Sequence, residues 1–139
     1  MAVRAESISA KVTIVDAEPQ LFVADIKSSC EFFTAKLGFT IVFMYGEPPF
    51  YAQVKRDGGR LNLRHVDQPV VDSVRRDREE LLSAVLTVGP ADEIELLFLE
   101  FQAKGVAFAQ TLRTKGWGAR NFIVKDPDGN LLLFAGPAE

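Results

Sequence analysis

The residues of this chain that could do chemistry are few, and they suit binding better than catalysis. The chain has one histidine, His65, and one cysteine, Cys30. A single His excludes a multi-histidine metal site and leaves Ser–His or Cys–His catalysis short of a partner. A single Cys excludes an internal disulfide framework and a Cys-based zinc site. Cys30 falls beside Phe33 on the apolar side of a helical stretch and reads as a packed thiol. Ser28 and Ser29 read as helix-start residues, not nucleophiles. There is no G-x-S-x-G and no phosphate-cradling glycine loop; Gly58-Gly59 is a hairpin turn. No residue is assigned a catalytic role. Recognition chemistry remains. Trp117 stands between two glycines in a stretch carrying Arg113, Lys115 and Arg120. An amphipathic ring there can stack on a planar ligand, with Arg120 adding a cation–π or hydrogen-bond contact. The same placement also suits a ring packed against the sheet or a partner subunit.

Composition narrows the partners. The chain has 139 residues, is 47% hydrophobic and 25% charged, and carries 16 Lys and Arg against 19 Asp and Glu, a net charge of -3. That is the make-up of one globular domain with a real core. A weakly acidic chain is a poor candidate for gripping nucleic-acid phosphates. No apolar run approaches the roughly 20 residues that cross a bilayer. The opening MAVRAESISAKV lacks a signal-peptide apolar stretch and carries Glu6. The expectation is a soluble cytoplasmic protein that binds neither nucleic acid nor membrane. Eleven Phe supply aromatic surface for a core or for a ligand cavity.

The elements that must position these residues come in two copies. Val54-Lys55-Arg56-Asp57-Gly58-Gly59-Arg60-Leu61 resembles Val124-Lys125-Asp126-Pro127-Asp128-Gly129-Asn130-Leu131, about 70 residues further on. Phe33-Thr34-Ala35-Lys36 resembles Phe101-Gln102-Ala103-Lys104 at nearly the same offset. Each half reads β-α-β-β-β. In the first, Pro19 to Val23 is a strand, Asp25 caps a helix running to Leu37, and Gly38 stops it. Thr40 to Tyr45, Phe50 to Arg56 and Leu61 to Val66 are strands, the last two joined by the Asp57-Gly58-Gly59 turn. In the second, Leu81 to Val88 is a strand, and Asp92 is a possible cap for a helix to Lys104 with Glu93 and Glu95 in its first turn. Val106 to Leu112, Arg120 to Lys125 and Leu131 to Ala135 are strands. Residues 67–80, rich in charge, read as a solvated linker. The prediction is a single α+β domain, 1–139, of two pseudo-symmetric modules, 16–66 and 81–136, each a cupped mixed sheet covered by its helix, the two cups together enclosing a cavity.

Strand alternation then selects pocket residues. Glu18, Gln20 and Phe22 share one face of the first strand. If Leu61 and Leu63 face the helix, Asn62 and Arg64 face the cup. Phe43, Tyr45, Phe50 and Tyr51 supply aromatic walls. The predicted ligand-binding set is Trp117, Arg120, Asn62, Arg64, Glu18, Gln20, Phe22, Phe43 and Tyr51. Leu96 and Leu99 lie off the main apolar stripe of the second helix, which suits either deeper burial or a dimer contact.

The doubled unit resembles the glyoxalase / bleomycin resistance / extradiol dioxygenase superfamily, the vicinal oxygen chelate proteins. The matching pieces are Val23-Ala24-Asp25-Ile26-Lys27-Ser28-Ser29-Cys30-Glu31-Phe32-Phe33, then Leu37-Gly38-Phe39, then Asp126-Pro127-Asp128-Gly129-Asn130, and the similarity spans about residues 16–137. Gly116-Trp117-Gly118-Ala119-Arg120-Asn121-Phe122 looks most like the bleomycin resistance branch. The resemblance implies four metal-ligand positions, which fall on Glu18, Asn62, Ser83 and Leu133. Glu18 is a competent anionic ligand, Asn62 and Ser83 are weak neutral donors, and Leu133 has no donor. This departs from the enzymatic members in the direction of the metal-free, drug-sequestering antibiotic-resistance members. The implied function is small-molecule binding by a homodimer, with no metal or cofactor, leaning away from an enzyme. The alternative is a metal-dependent lyase, isomerase or dioxygenase using Glu18 with Gln20 or His65; a third reading is an interaction module without a ligand. Bleomycin is cationic and its known binders favour acidic clefts, so Arg60, Arg64, Arg113 and Arg120 make bleomycin itself a poor match.

Overall fold

The computed structural model describes residues 11–90, 92–114 and 120–136. The first sheet is built from β1 (Gln20–Val23), β2 (Thr40–Gly46), β3 (Pro49–Arg56) and β4 (Gly59–His65), in the order β1-β4-β3-β2. β1 runs parallel to β4, and the other neighbours are antiparallel. Between β1 and β2 lies α1 (Ile26–Ala35). The second sheet repeats the plan with β5 (Ala84–Thr87), β6 (Phe108–Thr114), β7 (Arg120–Lys125) and β8 (Leu131–Ala135), in the order β5-β8-β7-β6, and its helix is the third in the chain, α3 (Glu93–Ala103). This is the α+β class that the doubled sequence pattern predicts.

Local chemistry sets the boundaries. The Asp25 carboxylate accepts from Ser28 N at 2.9 Å and starts α1. The helix ends at Ala35, before the predicted Leu37, and Gly38 takes φ +73 two residues beyond the Lys36 cap. A Cβ at Gly38 would lie 2.8 Å from an Arg56 guanidinium nitrogen, so the glycine also gives that side chain room to cross. In the second module Asp92 makes no side-chain cap bond, and Glu93 and Glu95 alone supply negative charge to the first turn of α3. Strand β5 is shorter than the predicted Leu81 to Val88, and β6 is displaced towards Thr114.

Residues 67–80 differ from the predicted solvated linker. They contain α2 (Ser73–Glu79), capped by Asp72 through Val74 N at 2.9 Å. None of its residues is buried. Polar contacts hold it instead: Arg76 donates to Asn130 Oδ1 at 3.0 Å, and Lys125 Nζ reaches Asp77 Oδ2 at 2.7 Å.

The two cups do not close on each other within one chain, as the sequence pattern had suggested they would. Leu21, Val23, Ala52, Val54, Leu61 and Leu63 of the first sheet are buried in the same cluster as Phe122, Val124, Leu132 and Phe134 of the second. Ile26, Cys30 and Phe33 of α1 and Ile94 and Phe101 of α3 complete that cluster. Each sheet therefore turns its helix-covered side inwards to a shared core. Edge-to-face rings such as Phe101–Phe134, with centroids 5.2 Å apart, fill it. The other side of each sheet is left open.

Three polar connections lock the modules together. Arg56 binds Glu100 through two hydrogen bonds of 2.7 and 3.1 Å and also donates to Leu37 O at 2.8 Å. Lys36 Nζ donates to Lys104 O at 2.7 Å. The turn before β8 grips the end of β1, with Ala24 N donating to Asp128 Oδ1 and Asn130 Nδ2 to Phe22 O. That turn is organised by Asp126, whose Oδ1 accepts from Asp128 N at 2.9 Å and Asn130 N at 2.7 Å. Burial raises the Asp126 carboxyl to about 6, against the opposing effect of its Asn130 hydrogen bonds.

Candidate functional site

The open side of the first sheet carries a patterned set of side chains. With Leu21, Ala52, Val54, Leu61 and Leu63 in the core, the period of two sends Gln20, Phe22, Tyr51, Gln53, Asn62 and Arg64 to the other face. Cross-strand register arranges them in rows. Phe43, Gln53, Asn62 and Gln20 stand opposite one another across four strands; Tyr45, Tyr51, Arg64 and Phe22 form the next row.

The first row is a neutral amide lattice. Gln53, only 7% exposed, donates from Nε2 to Asn62 Oδ1 at 2.9 Å and accepts from Arg60 at 2.8 Å. Arg60 is itself held by Asp16 at 3.2 Å. The second row is aromatic around a cation. The Phe43 and Tyr51 rings are stacked with centroids 5.9 Å apart, and Phe43 meets Tyr45 at 5.1 Å. Tyr45 is 60% exposed, a large apolar ring left in water by a chain whose core is complete without it. Among the described residues, Arg64 forms no ion pair.

The open side of the second sheet is more apolar. Gln110, Ile123, Leu133 and Val85 stand in one row, and Val85 is 59% exposed. Gln110 Nε2 donates to Asn121 Oδ1 at 2.7 Å.

The structure thus brings Gln20, Phe22, Phe43, Tyr51, Asn62 and Arg64 to one face, and places exposed Glu18 two residues before it. Arg120 does not join them. It has the same strand parity as the core residues Phe122 and Val124, and its guanidinium donates to Glu95 on α3 at 3.3 Å. Trp117 lies outside the described residues. Tyr45 and Gln53 belong to the face but not to the predicted set. Gln53 was legible from its position between two small or branched apolar residues, Ala52 and Val54.

The four positions that a metal would use do not fit one. Asn62 Oδ1 already accepts from Gln53, and Ser83 Oγ donates to Asn130 Oδ1 at 3.1 Å. Leu133 offers hydrocarbon, so Glu18 is left without the partners that a coordination shell needs. His65 is bound at both ring nitrogens, to Ala24 O at 2.8 Å and Asp67 Oδ1 at 2.9 Å, and has no free nitrogen for a substrate. The Cys30 thiol is buried, and burial raises its pKa, which makes it a poor nucleophile.

A concavity of about 660 Å³ lies elsewhere, at the seam between the β3–β4 turn, β5 and α3. Its Arg56 and Glu100 are spent on each other, and its Arg60 on Asp16. The open face of the first sheet differs from this seam in its aromatic cluster of Phe43, Tyr45 and Tyr51.

Comparison with known proteins gives one answer. Residues 13–134 match the profile of the Glyoxalase/Bleomycin resistance protein/Dioxygenase superfamily. A bleomycin resistance protein of Geobacillus stearothermophilus is 32% identical over 125 residues, covering 84% of this chain and 92% of that one; one from Staphylococcus aureus matches equally well. Among solved structures, a bleomycin-binding protein of bleomycin-producing Streptomyces verticillus, complexed with copper(II)-bleomycin, superposes with a TM-score of 0.66 at 26% identity, covering 91% of this chain and 98% of that one. A superfamily member from Alicyclobacillus acidocaldarius gives 0.70 at 18% identity, covering 87% and 89%, a likeness of fold.

Proposed function

The chain belongs to the Glyoxalase/Bleomycin resistance protein/Dioxygenase superfamily, and from that premise we propose that it holds a small planar molecule, chemically unchanged, against its open sheet faces. The observation that carries this reading is the aromatic cluster of exposed Tyr45 with half-buried Phe43 and Tyr51, beside exposed Arg64. It keeps ring surface in water that a stacked planar guest would cover. Of the metal-ligand positions, Asn62 and Ser83 are spent on protein hydrogen bonds, Leu133 lacks a donor and Glu18 stands alone, which favours sequestration over metal-assisted turnover. The relatives that are named for bleomycin resistance or bleomycin binding support the same activity class.

Each chain presents two separate open faces, and a cavity needs two faces in apposition. We therefore assign the working form as a homodimer, with the first sheet of one copy facing the second sheet of its partner. Exposed Leu96 and Leu99 on α3 add apolar surface for such an assembly, at 63% and 50% exposure. In this reading the chain is one domain of two pseudo-symmetric modules, working in the cytoplasm as an antibiotic-resistance type of binder. Gln20, Phe22, Phe43, Tyr51, Asn62 and Arg64 line its site, with Glu18 at the rim and Trp117 as a further ring.

Calorimetric titration with bleomycin and with a panel of planar aromatics, alongside sedimentation of the free protein, tests this. Saturable binding to a dimer supports it. A monomer that binds no member of the panel contradicts it.

A further inference from the structure

Charge is distributed unevenly in this chain. Overall it is acidic, with a net charge of -3, yet its open faces are basic. On the first sheet, register and alternation put Lys55, Arg60 and Arg64 on the open side: Lys55 stands opposite Arg60, and Arg64 opposite Tyr51. On the second sheet, Arg113 pairs with Asn121, and Lys125 shares the strand parity of Ile123. Asp16 neutralises Arg60, and Asp77 neutralises Lys125. Among the described residues, Lys55, Arg64 and Arg113 have no carboxylate within ion-pair distance. Acids border this sheet at its strand ends, Glu18 two residues before β1, Glu47 directly after β2 and Asp57 directly after β3.

Arg64 is the cation best placed for recognition. Its strand neighbours in the row are Tyr51 on one side and Phe22 on the other, and adjacent strands lie roughly 4.8 Å apart. A planar ring laid on Phe43 and Tyr51 would bring its edge substituent to the guanidinium one strand away. The adjoining row of Gln53, Asn62 and Gln20 contributes dipoles but no charge. The guanidinium fork matches a carboxylate with two parallel hydrogen bonds and repels an ammonium.

We propose that the site selects a planar aromatic bearing an anionic group, of the class of aromatic carboxylates, with Arg64 as the residue that reads the charge. This rests on the sequestration reading above and adds the charge of the guest. A cationic guest would meet uncompensated like charge on the same face.

Three probes with one ring system and different charge test it: 2-naphthoate, 2-naphthamide and 2-naphthylmethylammonium, each titrated calorimetrically into the full chain. The expected order is naphthoate tightest, by about tenfold over the amide, and the ammonium weakest. Raising the salt concentration should weaken naphthoate and leave the amide unchanged. In Arg64→Gln the preference for naphthoate over the amide should shrink to about twofold. The exposed side chain makes this variant compatible with folding, which an unchanged circular-dichroism spectrum and urea midpoint check directly. Arg64→Lys should keep part of the preference, as a charge without the fork.

Equal affinities, a preference for the ammonium, or an undiminished naphthoate preference in Arg64→Gln would overturn the proposal. If the three naphthyl probes fail while bleomycin binds, the charge inference falls and sequestration stands. If bleomycin and the wider aromatic panel fail as well, both fall.

Discussion

Tyr51 stands directly opposite Arg64 across the β3–β4 pair, and on its other side it stands opposite Tyr45 on β2. One ring is thus flanked by a guanidinium and by a second phenol, while its own hydroxyl reaches Gln20 Oε1 at 3.4 Å on β1. This places an aromatic platform, anchored through Tyr51, next to a positive charge on the neighbouring strand. Preorganisation of the platform lowers the entropic cost of binding.

Tyr51→Ala should weaken binding of a planar aromatic by about two- to tenfold, the loss of one stacked partner worth roughly 0.5–1.5 kcal/mol. Because the ring lies outside the core, the urea midpoint should move little. Titration and denaturation of the same sample separate the two effects. A large loss of stability with unchanged affinity would place Tyr51 in the fold and not in the site.

The Arg56–Glu100 pair ties the first sheet to α3 and should respond to acid. Glu100 is held below the usual carboxylate range, chiefly by its hydrogen bonds to Arg56. The pair's contribution is therefore present above the ordinary Glu value of 4.5 and is lost as pH falls through the lowered folded value. Both side chains are about one-third exposed, so solvent screening limits the coupling to about 0.5–1 kcal/mol. A double-mutant cycle of Arg56→Ala and Glu100→Ala, measured by urea unfolding at pH 7 and pH 3, should show coupling at pH 7 that shrinks at pH 3.

Asp126 should respond with the opposite sign. Its folded value of about 6 lies above the ordinary Asp value of 3.8, so the folded state binds the extra proton and stability from this group falls as pH rises between those values. The shift corresponds to an effect on the order of 1–3 kcal/mol. Asp126→Asn keeps an acceptor for the backbone of the turn and removes the titration. The stability difference between wild type and Asp126→Asn should therefore change across pH 4 to 6.5, and a pH-independent difference would contradict the assignment.

Much of the first sheet was legible in the sequence because its code is simple alternation. Leu21 and Val23 against Gln20 and Phe22, and Leu61 and Leu63 against Asn62 and Arg64, place each residue on its face before any coordinates are known. The same rule, applied from Phe122 and Val124, turns Arg120 towards α3, where it meets Glu95. The helix Ser73–Glu79 was not legible, because it buries nothing and so has no apolar period to detect. The relation between the cups was not legible either. Alternation shows which side of each sheet is apolar, but not that the two helix-covered sides merge into a single core around Phe33, Phe101 and Phe134. That merger leaves the open faces of the sheets turned outwards.

The central claim is that this chain binds a planar guest without a metal and returns it intact. Its most direct test is calorimetric titration of the chelator-treated protein with 2-naphthoate and with bleomycin, repeated after adding zinc, nickel, manganese and iron(II), with mass spectrometry of the recovered guest. The account predicts saturable binding of at least one guest, the same affinity with and without metal, and an unaltered mass. Binding that appears only with a divalent ion, or a guest converted in its presence, would contradict it.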